Sequence, residues 1–204
     1  AYAYVKSKNL TKALESITHA HRLSPHSLDI SLDRSNILSN LGEKKEAISI
    51  LKEFDLETTK DTRVFYNLGC LLMDEKSNED ALKYFKKTLT LDPQNKSASY
   101  NIGVLLFNIA KFEKAIEVFK AYQSEFGQNF EAERYISLSN FSLNNLTEAD
   151  SSLQKLCVIQ PNNVGVWYDR GLTLTKLKRN YDAIHCYQKT LELRPDYNDA
   201  FWNM

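Results

Sequence analysis

The sequence predicts an all-α fold, an α-solenoid of stacked antiparallel helix pairs, on three observations. An alanine recurs every 34 residues, further columns keep its phase, and each period holds two amphipathic patterns split by a polar break. Ala13, Ala47, Ala81, Ala115, Ala149 and Ala183 stand 34 apart with no insertion or deletion. Self-similarity at such a period marks a repeat array, in which each unit buries its faces only against its neighbours.

The other columns follow in order. Gly69, Gly103 and Gly171 lie twelve residues before their alanines, with Ser35 and Ser137 in the same column. Four residues after the alanines come Ile17, Leu51, Phe85, Phe119, Leu153 and Tyr187, and twelve after come Pro25, Thr59, Pro93, Gly127, Pro161 and Pro195. Glycine inside a helix costs about 1 kcal/mol against alanine, so its recurrence predicts a close helix approach. The expected contact is the small residue of the first helix against the alanine of the second, where overpacking costs about 1–3 kcal/mol.

The third repeat shows both helices. Phe65, Leu68, Gly69 and Leu72 have i, i+3, i+4, i+7 spacing, which marks one helix face. A polar stretch from Asp74 to Asn78 precedes Ala81, Leu82, Phe85 and Leu89, which repeat the pattern. Asp92-Pro93 is expected to end the second helix, because proline lacks the amide hydrogen and restricts the residue before it. Thr11, Asn78 and Thr147 at the hairpin turns are candidate caps. One array over 1–204 results: a partial repeat at 1–27 entering at Ala1 in the small column, full repeats at 28–61, 62–95, 96–129, 130–163 and 164–197, and the start of another at 198–204. The chain opens without methionine and stops in an apolar pattern at Phe201-Trp202, so it is expected to be part of a longer protein.

At these residues the sequence resembles the tetratricopeptide repeat family, whose pattern is an aromatic, leucine-glycine, a large residue, alanine, an aromatic and proline. The third repeat supplies Phe65, Leu68-Gly69, Leu72, Ala81, Phe85 and Pro93; the sixth supplies Trp167, Gly171, Leu174, Ala183, Tyr187 and Pro195. Several repeats depart from it. Ser31, Ser99 and Glu133 occupy the aromatic column, Thr59 and Gly127 the proline column, and Asn140 a large apolar one.

The resemblance implies a right-handed superhelix whose first helices line a concave partner-binding surface. It places there Leu32-Asp33, Tyr66-Asn67, Tyr100-Asn101, Arg134-Tyr135, Tyr168-Asp169 and Trp202-Asn203, with Asn36, Cys70, Val104, Leu138 and Leu172 one turn on. An asparagine amide both donates and accepts, which suits the backbone of an extended peptide. Aromatic rings add contact area at low entropic cost. The competing reading is that the tyrosines pack between first helices and the asparagines bond locally. The asparagine row resembles that of O-linked N-acetylglucosamine transferases. The family's carboxylate-gripping mode, which binds chaperone tails, is not expected, because Leu32, Ser97 and Asn101 stand where cations are needed.

Other functions find little support. Lysine plus arginine equals aspartate plus glutamate, against the basic excess that phosphate binding requires. The apolar stretch near Ile102 to Ala110 is too short to span a bilayer, and no signal pattern opens the chain. Cys70, Cys157 and Cys186 are odd in number and widely spaced, which reads as buried thiols in a reducing, cytoplasmic setting. His19 and His21 diverge on a helix, so no metal or cofactor is expected. Ser49 to Lys52 and Ser152 to Lys155 match a serine-x-x-lysine pattern, but on repeat helices where both residues are common. The sequons at Asn9 and Asn145 lie in hairpin turns.

The expected function is therefore a non-enzymatic scaffold that binds a protein or peptide segment in its groove. The alternatives are the substrate-recruiting region of a larger enzyme such as a protein glycosyltransferase, and self-association through exposed repeat ends.

Overall fold

The computed structural model describes residues 9–54, 56 and 58–204; the small-column position assigned to Ala1 lies outside them. The described residues are all-α, with twelve helices. They are α1 (Leu10–Leu23), α2 (Leu28–Asn40), α3 (Lys44–Lys52), α4 (Thr62–Asp74), α5 (Asn78–Leu91), α6 (Lys96–Asn108), α7 (Phe112–Phe126), α8 (Phe130–Ser142), α9 (Leu146–Ile159), α10 (Val164–Lys176), α11 (Asn180–Leu193) and α12 (Asn198–Asn203). They form two compact units, one up to Ala98 and one from Ser99 to Met204.

The proline column ends second helices as expected. α1, α5, α9 and α11 stop two residues before Pro25, Pro93, Pro161 and Pro195. In the fourth repeat Gly127 does this work, capping α7 at a φ of +85°. The hairpin caps differ from the expectation. Thr11, Asn78 and Thr147 lie inside the first turns, because the helices begin one or two residues earlier. Before the second helix α1 the cap is Asn9, which accepts from Lys12 N–H at 3.2 Å. The other side-chain caps stand before first helices, in a column the sequence reading passed over. Asp61, Asn95, Asn129 and Asn163 each accept from a backbone N–H two or three residues on, at 2.9–3.3 Å.

Among the described residues, each hairpin turns on one left-handed residue. Gly42, Lys76, Ala110, Asn144 and Lys178 have φ between +57° and +88° and again stand 34 apart. The following amide reaches back to the large column, as in Ser77 N–H to Leu72 O at 2.8 Å and Lys111 N–H to Leu106 O at 2.9 Å. This is the Schellman end, where glycine carries no Cβ penalty. Ala110→Gly is accordingly expected to raise stability by about 0.5–1 kcal/mol, measured by urea unfolding.

In the first unit α1 packs on α2, α2 on α3, α3 on α4, and α4 on α5, with α2 also meeting α4. Leu32, Leu38, Leu51, Val64, Leu68 and Leu71 form its main core. In the second unit α7 to α12 pack consecutively, with α8 also meeting α10. Its core includes Leu153, Leu156, Cys157 and Val166 in one cluster and Leu174, Ala183, Cys186 and Tyr187 in another.

The small column faces a partner other than the one expected. A Cβ on Gly69 would lie 2.6 Å from the Phe85 ring, one on Gly103 2.7 Å from Phe119, and one on Gly171 2.5 Å from Tyr187. The ring four residues past the alanine therefore sets the limit, not the alanine. Where that ring is replaced by Leu51 or Leu153, the small column holds Ser35 or Ser137. Ser35 does meet the alanine position, but through its hydroxyl, which donates to the Ala47 carbonyl at 3.1 Å.

Candidate functional site

The first-helix positions that precede each small column were expected to carry the site. In the first unit α2 and α4 bring Asn36 and Asn67 together, with Asn67 Nδ2 donating to Asn36 Oδ1 at 3.4 Å. They line a cavity of about 380 Å³ with Leu32, Asp33 and Tyr66. Arg63 and Asn95 also line it; the sequence reading passed over both, although Asn95 belongs to the capping column. Arg63 bonds Asp61 at 2.7 Å and Asp29, 34 residues back, at 2.8 Å. Its guanidinium lowers the Asp61 carboxyl below the usual carboxylate range. Tyr66 is half-buried, its ring 5.8 Å from that of Phe85. Burial raises the Cys70 thiol, opposed by a hydrogen bond with Tyr66.

In the second unit the tyrosines build an aromatic layer. Tyr100 packs against Phe119, Tyr122 and Tyr135 at 5.6, 5.7 and 6.3 Å, and burial pushes its phenol up to about 12. Tyr135 stacks on Phe119 at 5.2 Å and meets Phe107 edge-on at 5.1 Å. Tyr168 sits 4.9 Å from Tyr197 and accepts from Asn203 Nδ2 at 3.2 Å. These contacts are what interhelix packing of the tyrosines requires, while each ring remains only half-buried. Asn101 is half-buried on α6.

Arg134 and Asp169 make a fork between first helices α8 and α10. Arg134 Nε and Nη2 both donate to Asp169 Oδ2, at 3.0 and 2.8 Å. Gly165 gives the guanidinium room, since a Cβ there would stand 2.9 Å from Nη2. Burial raises the Asp169 carboxyl, and Arg134 only partly opposes that shift. On α12 the expected site residue Trp202 is 81% exposed and its neighbour Phe201 60% exposed.

Among the described residues no three His, Cys, Asp or Glu side chains cluster as a metal site would need. No described helix is long and apolar enough to cross a membrane. These surfaces carry amide pairs, half-buried phenols and fixed ion pairs.

Comparison with known proteins agrees with this architecture. The tetratricopeptide repeat family profile matches residues 62–95 and 164–197. MamA from Desulfovibrio magneticus RS-1 is 22% identical with a TM-score of 0.76, over 83% of this chain and 96% of that one. YrrB, described as a tetratricopeptide protein with an unusual peptide-binding site, is 18% identical with a TM-score of 0.75, over 93% and 97%. A tetratricopeptide repeat protein from Parabacteroides merdae is 18% identical with a TM-score of 0.81, over 99% and 84%. At these identities the likeness establishes the fold. No curated protein matches.

Proposed function

We infer that this chain, which has the tetratricopeptide fold and carries two segments matching that repeat, is a non-enzymatic scaffold that holds an extended segment of a partner protein. The observation that carries the reading is the Asn36–Asn67 pair beside a cavity of about 380 Å³. One asparagine bond at 3.4 Å is long enough to exchange for bonds to a peptide, and each side chain keeps further donors or acceptors. The peptide-binding description printed for YrrB, a protein of the same fold, supports this reading. Tyr66 borders the same cavity. In the second unit, Tyr100, Asn101, Arg134, Tyr135, Tyr168, Asp169, Trp202 and Asn203 are proposed to serve partner segments in the same manner. Recruitment of substrates to a protein glycosyltransferase rests on the asparagine positions alone and is a special case of this reading.

Selection from a displayed peptide library tests it. The parent chain is expected to enrich defined sequences, and Asn36→Ala with Asn67→Ala is expected to weaken the selected peptide about tenfold or more. Equal affinity in a folded double variant would exclude the asparagine site. The exposed Phe201–Trp202 pair, with rings 5.6 Å apart, favours a second reading, self-association through that apolar end. Concentration-dependent sedimentation that disappears in Phe201→Ser with Trp202→Ser is its expected signature.

A further inference from the structure

The two columns where the fifth repeat departs furthest from its siblings meet in one place, apart from the asparagine site. Glu133 stands where the third and sixth repeats carry Phe65 and Trp167, and Asn140 where they carry Leu72 and Leu174. Phe65, Leu72 and Leu174 are buried core residues. In the fifth repeat the polar replacements instead line an open cleft of about 490 Å³ formed by α7, α8 and α9. Glu133, Ile136 and Asn140 share one face of α8 by their i, i+3, i+7 spacing. Arg134 and Tyr135 lie towards the other face by the same count.

The polar groups of this cleft have spare capacity. Gln123 Nε2 donates to Glu133 Oε2 at 3.2 Å, which leaves Oε1 available. Asn145 Nδ2 donates to Asn140 Oδ1 at 3.4 Å, which leaves the Asn140 amide hydrogens. Lys120 on α7 and Glu148 on α9 line the same cleft, and among the described residues neither takes part in an ion pair of 4.0 Å or less. The cleft therefore presents two carboxylates and an ammonium that do not satisfy one another, above the aliphatic side chain of Ile136.

We propose that this cleft binds a small zwitterion, a free L-α-amino acid, with its ammonium toward Glu133 and Glu148 and its carboxylate toward Lys120. Charge-assisted hydrogen bonds at both ends are the strong kind. A simple cation would meet the like charge of Lys120, and a simple anion would meet both glutamates. A planar base or sugar ring gains most from an aromatic surface, and the aromatic column is what this repeat has given up. Asn140 can donate to the ligand carboxylate, and Ile136 offers an apolar floor for its side chain.

Titrating the full chain with each of the twenty L-amino acids, followed by amide NMR shifts, tests the proposal. At least one is expected to give saturable shifts confined to α7, α8 and α9, with a Kd of about 1 mM or tighter. Its N-acetyl and carboxamide derivatives, each lacking one charge, are expected to bind about tenfold more weakly. Glu133→Phe with Asn140→Leu restores the residues of the third repeat, so it is expected to fill the cleft, raise the melting temperature and abolish binding. Lys120→Gln, at an exposed position, keeps the fold in any case and is expected to weaken binding about tenfold. The proposal is overturned by any of three results: no saturable shift up to about 20 mM, equal binding of the singly charged derivatives, or an unaffected Lys120→Gln variant.

Discussion

Asp150→Ala is expected to lower stability by about 3–5 kcal/mol, read as an earlier urea midpoint in the fluorescence of Trp167 and Trp202. Asp150 accepts from Arg170 Nε and Arg179 Nη1, both at 2.8 Å. The Asp150 and Arg170 side chains are only 10% and 15% exposed. Without the carboxylate, the Arg170 guanidinium is left enclosed near Cys157 and Cys186. Burial holds those thiols up to about 12 and about 11, so neither offers a counter-charge at neutral pH. Arg179 is half-exposed and also bonds Asp182, so its share is small, about 0–1 kcal/mol.

Removing both buried partners should have the opposite outcome. The Asp150 column holds Ile48, Ile116 and Ile184 elsewhere, and the Arg170 column holds Leu68, Ile102 and Ile136 in the third to fifth repeats and Arg34 in the second. Asp150→Ile with Arg170→Leu is expected to be neutral or to stabilise by about 1–4 kcal/mol, because an apolar contact avoids desolvating two charges. A loss below about 1 kcal/mol in Asp150→Ala would show that the pair behaves as a surface bridge.

Gly171→Ser is expected to cost about 1–3 kcal/mol, although serine is the better helix former. The new Cβ would stand 2.5 Å from the Tyr187 ring. That ring is fully buried and tied by its hydroxyl to Thr175 Oγ1 at 2.9 Å, so it has little freedom to move aside. In a Tyr187→Leu background the same change is expected to be neutral or stabilising, since Ser137 with Leu153 is the combination the fifth repeat already uses. A double-mutant cycle should then return a coupling above about 1 kcal/mol. Strict additivity would remove the ring as the cause of the glycine column.

Much of the architecture was legible in the sequence. Ala13, Ala47 and Ala81 are fully buried, as their common phase requires. Helix ends at the prolines were also readable, because a missing amide hydrogen acts locally. The hairpin caps were misplaced by one or two residues, since a threonine inside a first turn and one before it look alike in sequence. The Asn36–Asn67 pair was accessible only as two positions 31 apart, and Arg63 in the first turn of α4 and Asn95 before α6 lie outside the apolar columns from which the repeat was read.

By itself, then, the sequence determined the helix-pair repeat and which face of each helix is buried, because a 34-residue phase and a 3.6-residue turn are properties of short stretches of chain. Only the tertiary structure decided which partner each buried face meets. Gly69 yields to Phe85 and not to Ala81, Asp150 reaches Arg170 in the next repeat, and Glu133 with Asn140 leaves a cleft where Phe65 and Leu72 fill a core. Those outcomes turn on side-chain volume, reach and charge across separate helices.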